Sequence, residues 1–296
     1  MGVSWDRLVR FEAVDGRILY GEPILPTPDY DLGFLAESDG VKAKIITGSD
    51  IFDETGATEV SDETATIKAL LSPLAGPDIP CVRCVGLNYA KHIQQAGRTP
   101  PPFPFIFIKP NTSITGPGSP VIIPKIAQND QADYEGELTL VIGRDAKDVS
   151  VEDALDYVAA YTVGNDISSR KLQRNPEYAG RVPQWSFSKG FDTYAPIGPA
   201  LVASKLVGDP KKLWLKTTVD GELRQSESVS DLLFDCAYIV SYLSTGTTLQ
   251  KGSIIMTGTP GGVGGDMDPP RWLDPGTDVQ VHITNIGTLR NSIMFA

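Results

Sequence analysis

Cysteine and histidine are both scarce in this 296-residue sequence. The three cysteines, Cys81, Cys84 and Cys236, cannot build a multi-disulfide framework, and they suit a reducing compartment. Cys81 and Cys84 form a C-x-x-C pair, but one further cysteine and two distant histidines do not give the ligand spacing of a zinc site. The sequence therefore argues against a disulfide-stabilised secreted domain and against a structural zinc module.

Long apolar runs and an excess of positive charge are absent as well. The longest apolar stretch, residues 103–108, is interrupted by Pro104 and is far shorter than the roughly 20 residues of a membrane-spanning helix. The 26 basic residues are outnumbered by 37 acidic ones, and a net charge of -11 opposes binding to nucleic-acid phosphates. Residues 1–10 show no apolar segment of a secretory signal. We expect a cytoplasmic protein that binds neither nucleic acid nor membranes.

Residues 1–75 and residues 80–296 differ in their patterning. The first stretch has short strand-like segments with Asp-Gly turns at 15–16 and 39–40, and a proline-rich linker at 72–80 follows it. Longer apolar strands and two helical patterns come after the linker. We expect an α+β, β-rich fold, with a small N-terminal β domain at 1–75 and a larger domain at 80–296.

Three local signals define elements of the larger domain. Ser150 is a favourable N-cap for a helix whose apolar residues recur at helical spacing as far as Ala159. A second helix is predicted from Ser230 or Asp231 to Gly246. Asp220-Gly221, between two strand-like segments, predicts a β-hairpin.

Three carboxylates carry the strongest chemical signal. Glu135 and Glu137 fall on one face of a predicted strand, where they repel each other unless a cation lies between them. A solvated outer face explains this pair alone equally well. Asp166, which ends an otherwise uncharged strand, changes the balance. Two glutamates and one aspartate form an all-oxygen site suited to Mg²⁺, and also to Mn²⁺ or Ca²⁺, rather than to zinc.

Residues 79–129 contain neither Asp nor Glu but hold several cationic side chains, and in an acidic protein this stretch would attract a small anion. A proline-rich loop that covers the core is the plainer explanation. His92 lies in this stretch and is a candidate general base. A glycine-rich loop, residues 257–265, follows a predicted strand, and its amides together with Thr259 could hold an oxyanion or carboxylate.

Together these segments resemble the fumarylacetoacetate hydrolase family, in the smaller branch that includes acylpyruvases and oxaloacetate decarboxylases or tautomerases. The matching motifs are Gly86-Leu87-Asn88-Tyr89-Ala90-Lys91-His92, Phe107-Ile108-Lys109-Pro110, residues 133–143, Asn165-Asp166-Ile167-Ser168-Ser169-Arg170, residues 188–193 and residues 257–264. Their order and spacing match over about residues 80–296.

The resemblance implies a mixed β-roll catalytic domain, a homodimer and activity on small, anionic 2-oxo or β-diketo acids. By position it implies a metal triad and a lid histidine that activates water, with further substrate contacts. The implied metal ligands are Glu135, Glu137 and Asp166; the implied catalytic residues are His92, Lys189 and Gln95; and the implied substrate contacts are Lys109, Arg170, Gln173 and Thr259.

Gln95 is a departure from the family pattern. Many hydrolytic and decarboxylating members have a glutamate three residues after the lid histidine, where a carboxylate orients the imidazole and stabilises its charged form. Gln95 accepts a hydrogen bond but carries no charge. In a serine triad the comparable acid-to-amide change lowers turnover by about 10⁴-fold.

Three functions therefore stay open. The first is Mg²⁺-dependent hydrolysis of the C–C bond of an acylpyruvate, with Lys189 neutralising the developing enolate. The second is an oxaloacetate-type tautomerase or decarboxylase, which needs no activated water and which Gln95 favours. The third is a catalytically silent binding protein on the same fold, which would have no need for the triad together with Lys189.

Overall fold

The computed structural model describes residues 2–95 and 97–296, without the side chain of Gln95. The strands are β1 (Arg7–Ala13), β2 (Ile18–Ile24), β3 (Lys42–Thr47), β4 (Glu59–Leu70), β5 (Val82–Gly86), β6 (Phe105–Lys109), β7 (Ile114–Thr115), β8 (Val121–Ile123), β9 (Ala132–Asp133), β10 (Gly136–Ile142), β11 (Val158–Asn165), β12 (Ser168–Ser169), β13 (Ala195–Ala203), β14 (Trp214–Val219), β15 (Glu222–Ser228), β16 (Ile254–Met256), β17 (Asp278–Ile283) and β18 (Gly287–Phe295). The helices are α1 (Ala90–Gln95), α2 (Arg170–Arg174), α3 (Pro176–Ala179), α4 (Trp185–Lys189), α5 (Ser204–Val207) and α6 (Cys236–Ser244).

Two sheets enclose the main core. The larger sheet has the order β2-β3-β4-β1-β13-β11-β10-β16-β5-β6, and the smaller has the order β15-β14-β17-β18-β8. Leu138 and Leu140 of β10 share one apolar cluster with Leu215 of β14 and Val281 of β17, so the sheets pack face to face. Every residue of β10 is buried, because both faces of this central strand are covered. The predicted α+β, β-rich fold is confirmed.

The N-terminal strands continue the larger sheet. β1 pairs with β13 through Arg7 opposite Val202 and Leu8 opposite Leu201. Strands β1 to β4 also share an apolar cluster of their own, which includes Phe11. The division of the chain into domains at 1–75 and 80–296 stays a prediction, since these strands have a separate cluster but a shared sheet.

The two predicted helices begin at residues other than those the sequence indicated. The helix predicted from Ser150 is a short 3-10 turn, Ala154–Tyr157, because the apolar residues that follow it belong to β11. The second helix begins at Cys236, where the Asp235 carboxylate caps it by accepting from the Tyr238 amide. The hairpin at 220–221 is confirmed, with β14 and β15 on either side of it. Among the helices of the described residues, none is long and apolar enough to cross a membrane.

One edge of the larger sheet collects the ends of four strands. β10 is antiparallel to β11 and β16, so its start lies beside both of their ends. β5 is parallel to β16 and ends at the same edge. The predicted functional segments that flank these strand ends therefore meet there, although they are far apart in sequence.

Candidate active site

The three predicted metal ligands meet at this edge. Glu135 directly precedes β10, Glu137 is the second residue of β10, and Asp166 directly follows β11. Each offers one carboxylate oxygen to a group in which all such atoms lie within 4.8 Å of one another. The Asp166 amide donates to the Glu135 carbonyl at 2.8 Å, and this bond fixes the two ligands relative to each other.

Two buried lysines hold the triad. The Lys189 ammonium lies 2.7 Å from Glu135 Oε2 and 2.6 Å from Asp166 Oδ2. The Lys109 ammonium lies 2.6 Å from the other oxygen of Asp166 and also donates to the carbonyls of Lys189 and Tyr194, at 2.6 and 2.7 Å. Burial disfavours the charge on Lys189, yet Asp166 and Glu135 outweigh it and raise its pKa. Lys109 gives its ammonium to protein oxygens and so orients Asp166, while the substrate contact predicted for it stays a prediction.

Arg170 joins the triad to a fourth carboxylate. Its guanidinium lies 2.7 Å from Asp133 Oδ2 and 2.6 Å from Glu135 Oε1. Arg170 also donates to Gln173 Oε1 at 3.2 Å, because residues three apart share one face of α2. Sequence reasoning assigned no role to Asp133. Its position two residues before Glu135 was the sequence feature that could have indicated a role.

The glycine-rich loop binds carboxylates of the protein itself. The amides of Gly264 and Gly265 donate to Asp133 at 2.8 and 3.0 Å, and the Gly258 amide donates to Glu137 Oε2 at 2.7 Å. The sequence predicted that this loop holds a carboxylate, but we expected the carboxylate of a ligand. The loop amides therefore shape the triad and its support.

Thr259 is likewise committed within the protein. Its hydroxyl donates to the Gly136 carbonyl at 2.9 Å and accepts from Gln225 Nε2 at 2.8 Å. In this arrangement the hydroxyl proton of Thr259 is already donated within the protein, so it is not free for the predicted contact with substrate. Gln225, which the sequence did not single out, also accepts from the Gly136 amide at 3.1 Å and so ties β15 to the start of β10.

We call these buried charged side chains the floor: Asp133, Glu135, Glu137, Asp166, Lys109, Arg170 and Lys189. Within the described residues, each carboxylate of the floor except Glu137 has a cationic partner. Burial, together with Asp166 and Glu135 nearby, raises the pKa of Glu137 well above its usual range. A divalent cation among the three ligands would supply the missing positive charge. Carboxylate oxygens keep lone pairs beyond those used here, so the donor set fits a hard cation.

The opposite wall carries His92. We call residues 88–95 the lid, since they comprise α1 and the residues that anchor it. The Asn88 side chain donates to the carbonyls of Phe234 and Thr257 at 3.0 and 2.7 Å and accepts from the Phe234 amide. His92 lines the same small cleft as Glu135, Arg170 and Thr259. Burial lowers the pKa of its imidazole, although the nearby Asp266 opposes this shift.

The structure places five of the ten predicted site residues in the lining of one cleft, and four others next to it. Gln95 lies in α1, but its side chain falls outside the part of the chain that the structure describes. His92, Arg170, Glu135, Glu137 and Thr259 line the cleft together. Gln173, Lys189 and Asp166 connect to it through the hydrogen bonds and ion pairs above.

A buried carboxylate triad, its paired cations and a histidine in the same cleft of a strand-rich fold form the arrangement of an enzyme active site. Residues 81–294 match the family described as fumarylacetoacetate (FAA) hydrolase, C-terminal. The chain belongs to the fumarylacetoacetate hydrolase family.

Named relatives show the range of reactions near this sequence. Caffeoylpyruvate hydrolase from Neonothopanus nambi is 41% identical over 98% of this chain and 93% of its own. Oxaloacetate tautomerase YisK from Bacillus subtilis strain 168 is 41% identical over 71% of this chain and 68% of its own. The crystal structure of 2-hydroxyhepta-2,4-diene-1,7-dioate isomerase from Mycobacterium marinum, 34% identical, covers 98% of both chains with a TM-score of 0.74.

Proposed function

We propose that this protein is a Mg²⁺-dependent hydrolase that cleaves the C–C bond of an acylpyruvate. The observation that carries the proposal is that His92, a proton acceptor, lines the same cleft as Glu135 and Glu137 of the carboxylate triad. The caffeoylpyruvate hydrolase of Neonothopanus nambi, similar over nearly the whole chain, supports this reaction class.

Glu135, Glu137 and Asp166 would hold the Mg²⁺. When bound, the ion supplies Lewis-acid polarisation of the substrate's oxo group. Mn²⁺ or Ca²⁺ would suit the same oxygen donors, so the choice of metal rests on the experiment below. Lys109 keeps Asp166 oriented, and Arg170 does the same for Glu135.

Two buried donors are available for the substrate's carboxylate. Arg170 Nη2 and Gln173 Nε2 make no hydrogen bond within the described residues, although both atoms are buried. A buried donor without a partner costs roughly 1–3 kcal/mol, and an anionic oxygen would remove that cost. The substrate's carboxylate is therefore the group we assign to these two nitrogens.

His92 and Lys189 would divide the bond-breaking step. The imidazole takes a proton from water, and the resulting hydroxide adds to the distal carbonyl carbon. The C–C bond then breaks, its electron pair passes into the enolate of pyruvate, and the acyl group leaves as a carboxylic acid. Lys189, a buried ammonium beside the triad, stabilises the negative charge of that enolate.

Oxaloacetate tautomerisation is the second candidate function. Gln95 favours it, because interconversion of enol and keto forms needs no activated water. The similarity to the oxaloacetate tautomerase of Bacillus subtilis points the same way. Decarboxylation of oxaloacetate would use the same floor. A silent binding protein is the least consistent alternative, because it has no need for the ion-paired triad.

Proton NMR of two reactions in parallel tests the proposal. An acylpyruvate and oxaloacetate are each incubated with the protein and Mg²⁺, and then with EDTA. Metal-dependent release of pyruvate and a carboxylic acid from the acylpyruvate supports hydrolysis. Metal-dependent enol–keto exchange of oxaloacetate, with no cleavage of the acylpyruvate, replaces hydrolysis with tautomerisation. If neither reaction occurs and calorimetry detects no Mg²⁺ binding, the protein is a binding protein.

We also propose a cytoplasmic homodimer. All three cysteines are free, in keeping with a reducing compartment. β6 is an edge strand of the larger sheet and exposes Phe105 and Ile108, and Phe187 is exposed too. An uncovered apolar edge is a liability unless a second chain covers it. Light scattering checks the mass, and Ile108→Glu should yield a monomer if this edge forms the contact.

A further inference from the structure

Asp266 is a carboxylate near the cleft that the roles above leave unused. Its Oδ2 lies 3.8 Å from His92 Nε2, and its side chain is 31% exposed. We propose that Asp266 is the positioning residue for His92, taking the part that Gln95, as an uncharged amide, does not supply. This inference rests on the proposed hydrolytic function and names a further residue for it.

The loop that carries Asp266 is fastened to the floor. The amides of the two residues before it, Gly264 and Gly265, bind Asp133, which in turn binds Arg170. A side chain at Gly264 would place its Cβ 1.9 Å from the Arg271 carbonyl, so the backbone can approach Asp133 only as glycine. Asp266 follows directly, so its position is set by the same network that supports Glu135.

The two oxygens of Asp266 face different partners. Oδ1 lies 3.4 Å from Arg174 Nη1, whereas Oδ2 faces the imidazole of His92. The guanidinium therefore orients the carboxylate, with one oxygen left for the histidine. The other charged groups that act on His92 are Glu135, which favours its charged form, and Arg98 and Arg170, which oppose it.

A carboxylate at Nε2 has two consequences for the imidazole. It favours the tautomer with the proton on Nε2, which leaves the Nδ1 lone pair to accept a proton from water. It also stabilises the imidazolium that forms when the proton arrives. Both effects serve water activation, a step that enol–keto exchange does not include.

Asp266→Asn tests the role, with Asp268→Asn as the matched control. Asp268 is exposed in the same loop, so its variant makes the same change of charge two residues away. We expect Asp266→Asn to lower kcat for acylpyruvate hydrolysis by about 10- to 100-fold with little change in KM, as is usual when a supporting partner is lost. Oxaloacetate exchange should stay within about twofold, because the floor is intact. Asp268→Asn should leave both reactions unchanged.

A double variant separates positioning from a structural effect. In a His92→Gln background, Asp266→Asn should cause no further loss of hydrolysis, because the residue it positions is gone. An equal loss in both backgrounds, or an unchanged kcat in the single variant, overturns the proposal.

The two histidines allow a readout without any substrate. Imidazole NMR in the presence of Mg²⁺ follows His92, and Asp266→Asn should lower its pKa, because the carboxylate that favours the charged imidazole is lost. An unchanged His92 titration contradicts the pairing. If the wild-type protein releases no pyruvate but this shift occurs, the hydrolytic function fails while the pairing stands.

Discussion

The floor and the lid face each other across one cleft but are built in different ways. The charged residues of the floor are at most 7% exposed and are fixed by strand ends, ion pairs and loop amides. The lid consists of a six-residue helix and the residues before it, where Asn88 holds one end, with Lys91 exposed and His92 partly so. The floor contains the charges that either proposed reaction needs, whereas the lid contributes the imidazole that would activate water, a step that only hydrolysis requires. Floor variants should therefore affect both reactions, and lid variants should separate them.

The largest effect is expected from Glu135→Gln. The change removes the charge of one proposed metal ligand and leaves Lys189 and Arg170 short of a partner, and breaking a buried pair in this way costs roughly 3–5 kcal/mol. Both the acylpyruvate and the oxaloacetate reactions should fall by at least about 10³-fold, as NMR can show. Glu222→Gln, at an exposed site, is the control. A Glu135→Gln variant that folds and keeps a tenth of either activity would exclude Glu135 from the cation site.

His92→Gln should separate the two reactions. Loss of a general base lowers a rate by about 10²- to 10⁴-fold, so pyruvate release should fall within that range. Exchange of oxaloacetate should change by less than about threefold, because the floor is untouched. His282→Gln controls for loss of an imidazole, since His282 lies outside the cleft, against Asp31 and Thr288. Equal losses in both reactions would mean that His92 acts in both of them, and that the lid does not serve hydrolysis alone.

The pH profile should show the same contrast. Burial lowers the pKa of His92 below 6.5, so the neutral base persists as pH falls to that lowered value and is lost beneath it. The acid limb of hydrolysis should therefore have its midpoint below pH 6.5, and the rate should decline about tenfold per unit of pH beneath that midpoint. This acid limb should be missing from the residual activity of His92→Gln. A limb centred above pH 6.5 would show that the imidazole is more solvated than in this structure.

The site also shows which of its features could be predicted from the sequence and which could not. Glu135, Glu137 and Asp166 were predictable because strand periodicity and strand ends are local patterns, and the antiparallel pairing of β10 with β11 does bring them together. Lys109, Arg170 and Lys189 were predicted as site residues, but their pairing with these carboxylates was not, because they come from distant segments. Asp133 is bound by the Gly264 amide 131 positions later in the chain, and no local pattern shows that contact.

The helix expected from Ser150 failed for a related reason. Residues 154–159 satisfy helical spacing, but Val158 and Ala159 begin a buried central strand, and pairing along β11 outweighs the weak helical preference of so short a segment. Asp266 shows the limit for function: nothing adjacent in sequence connects it with His92, and only the fold of the loop brings the two side chains together.

The smallest effect is expected from Lys91→Ala, which tests how the lid is held in comparison with the floor. Its ammonium lies 2.8 Å from the Glu227 carboxylate, and the lysine is more than half exposed, so the pair contributes at most about 1 kcal/mol. We expect KM for the acylpyruvate to rise less than about threefold, with kcat unchanged and the difference vanishing at high salt, because solvent and ions screen an exposed pair. Lys42→Ala, an exposed lysine on β3, is the control in steady-state assays at low and high salt. A large loss of kcat would mean that the ion pair between Lys91 and Glu227 holds His92 in place. The lid would then be fixed by an ion pair, as the floor is.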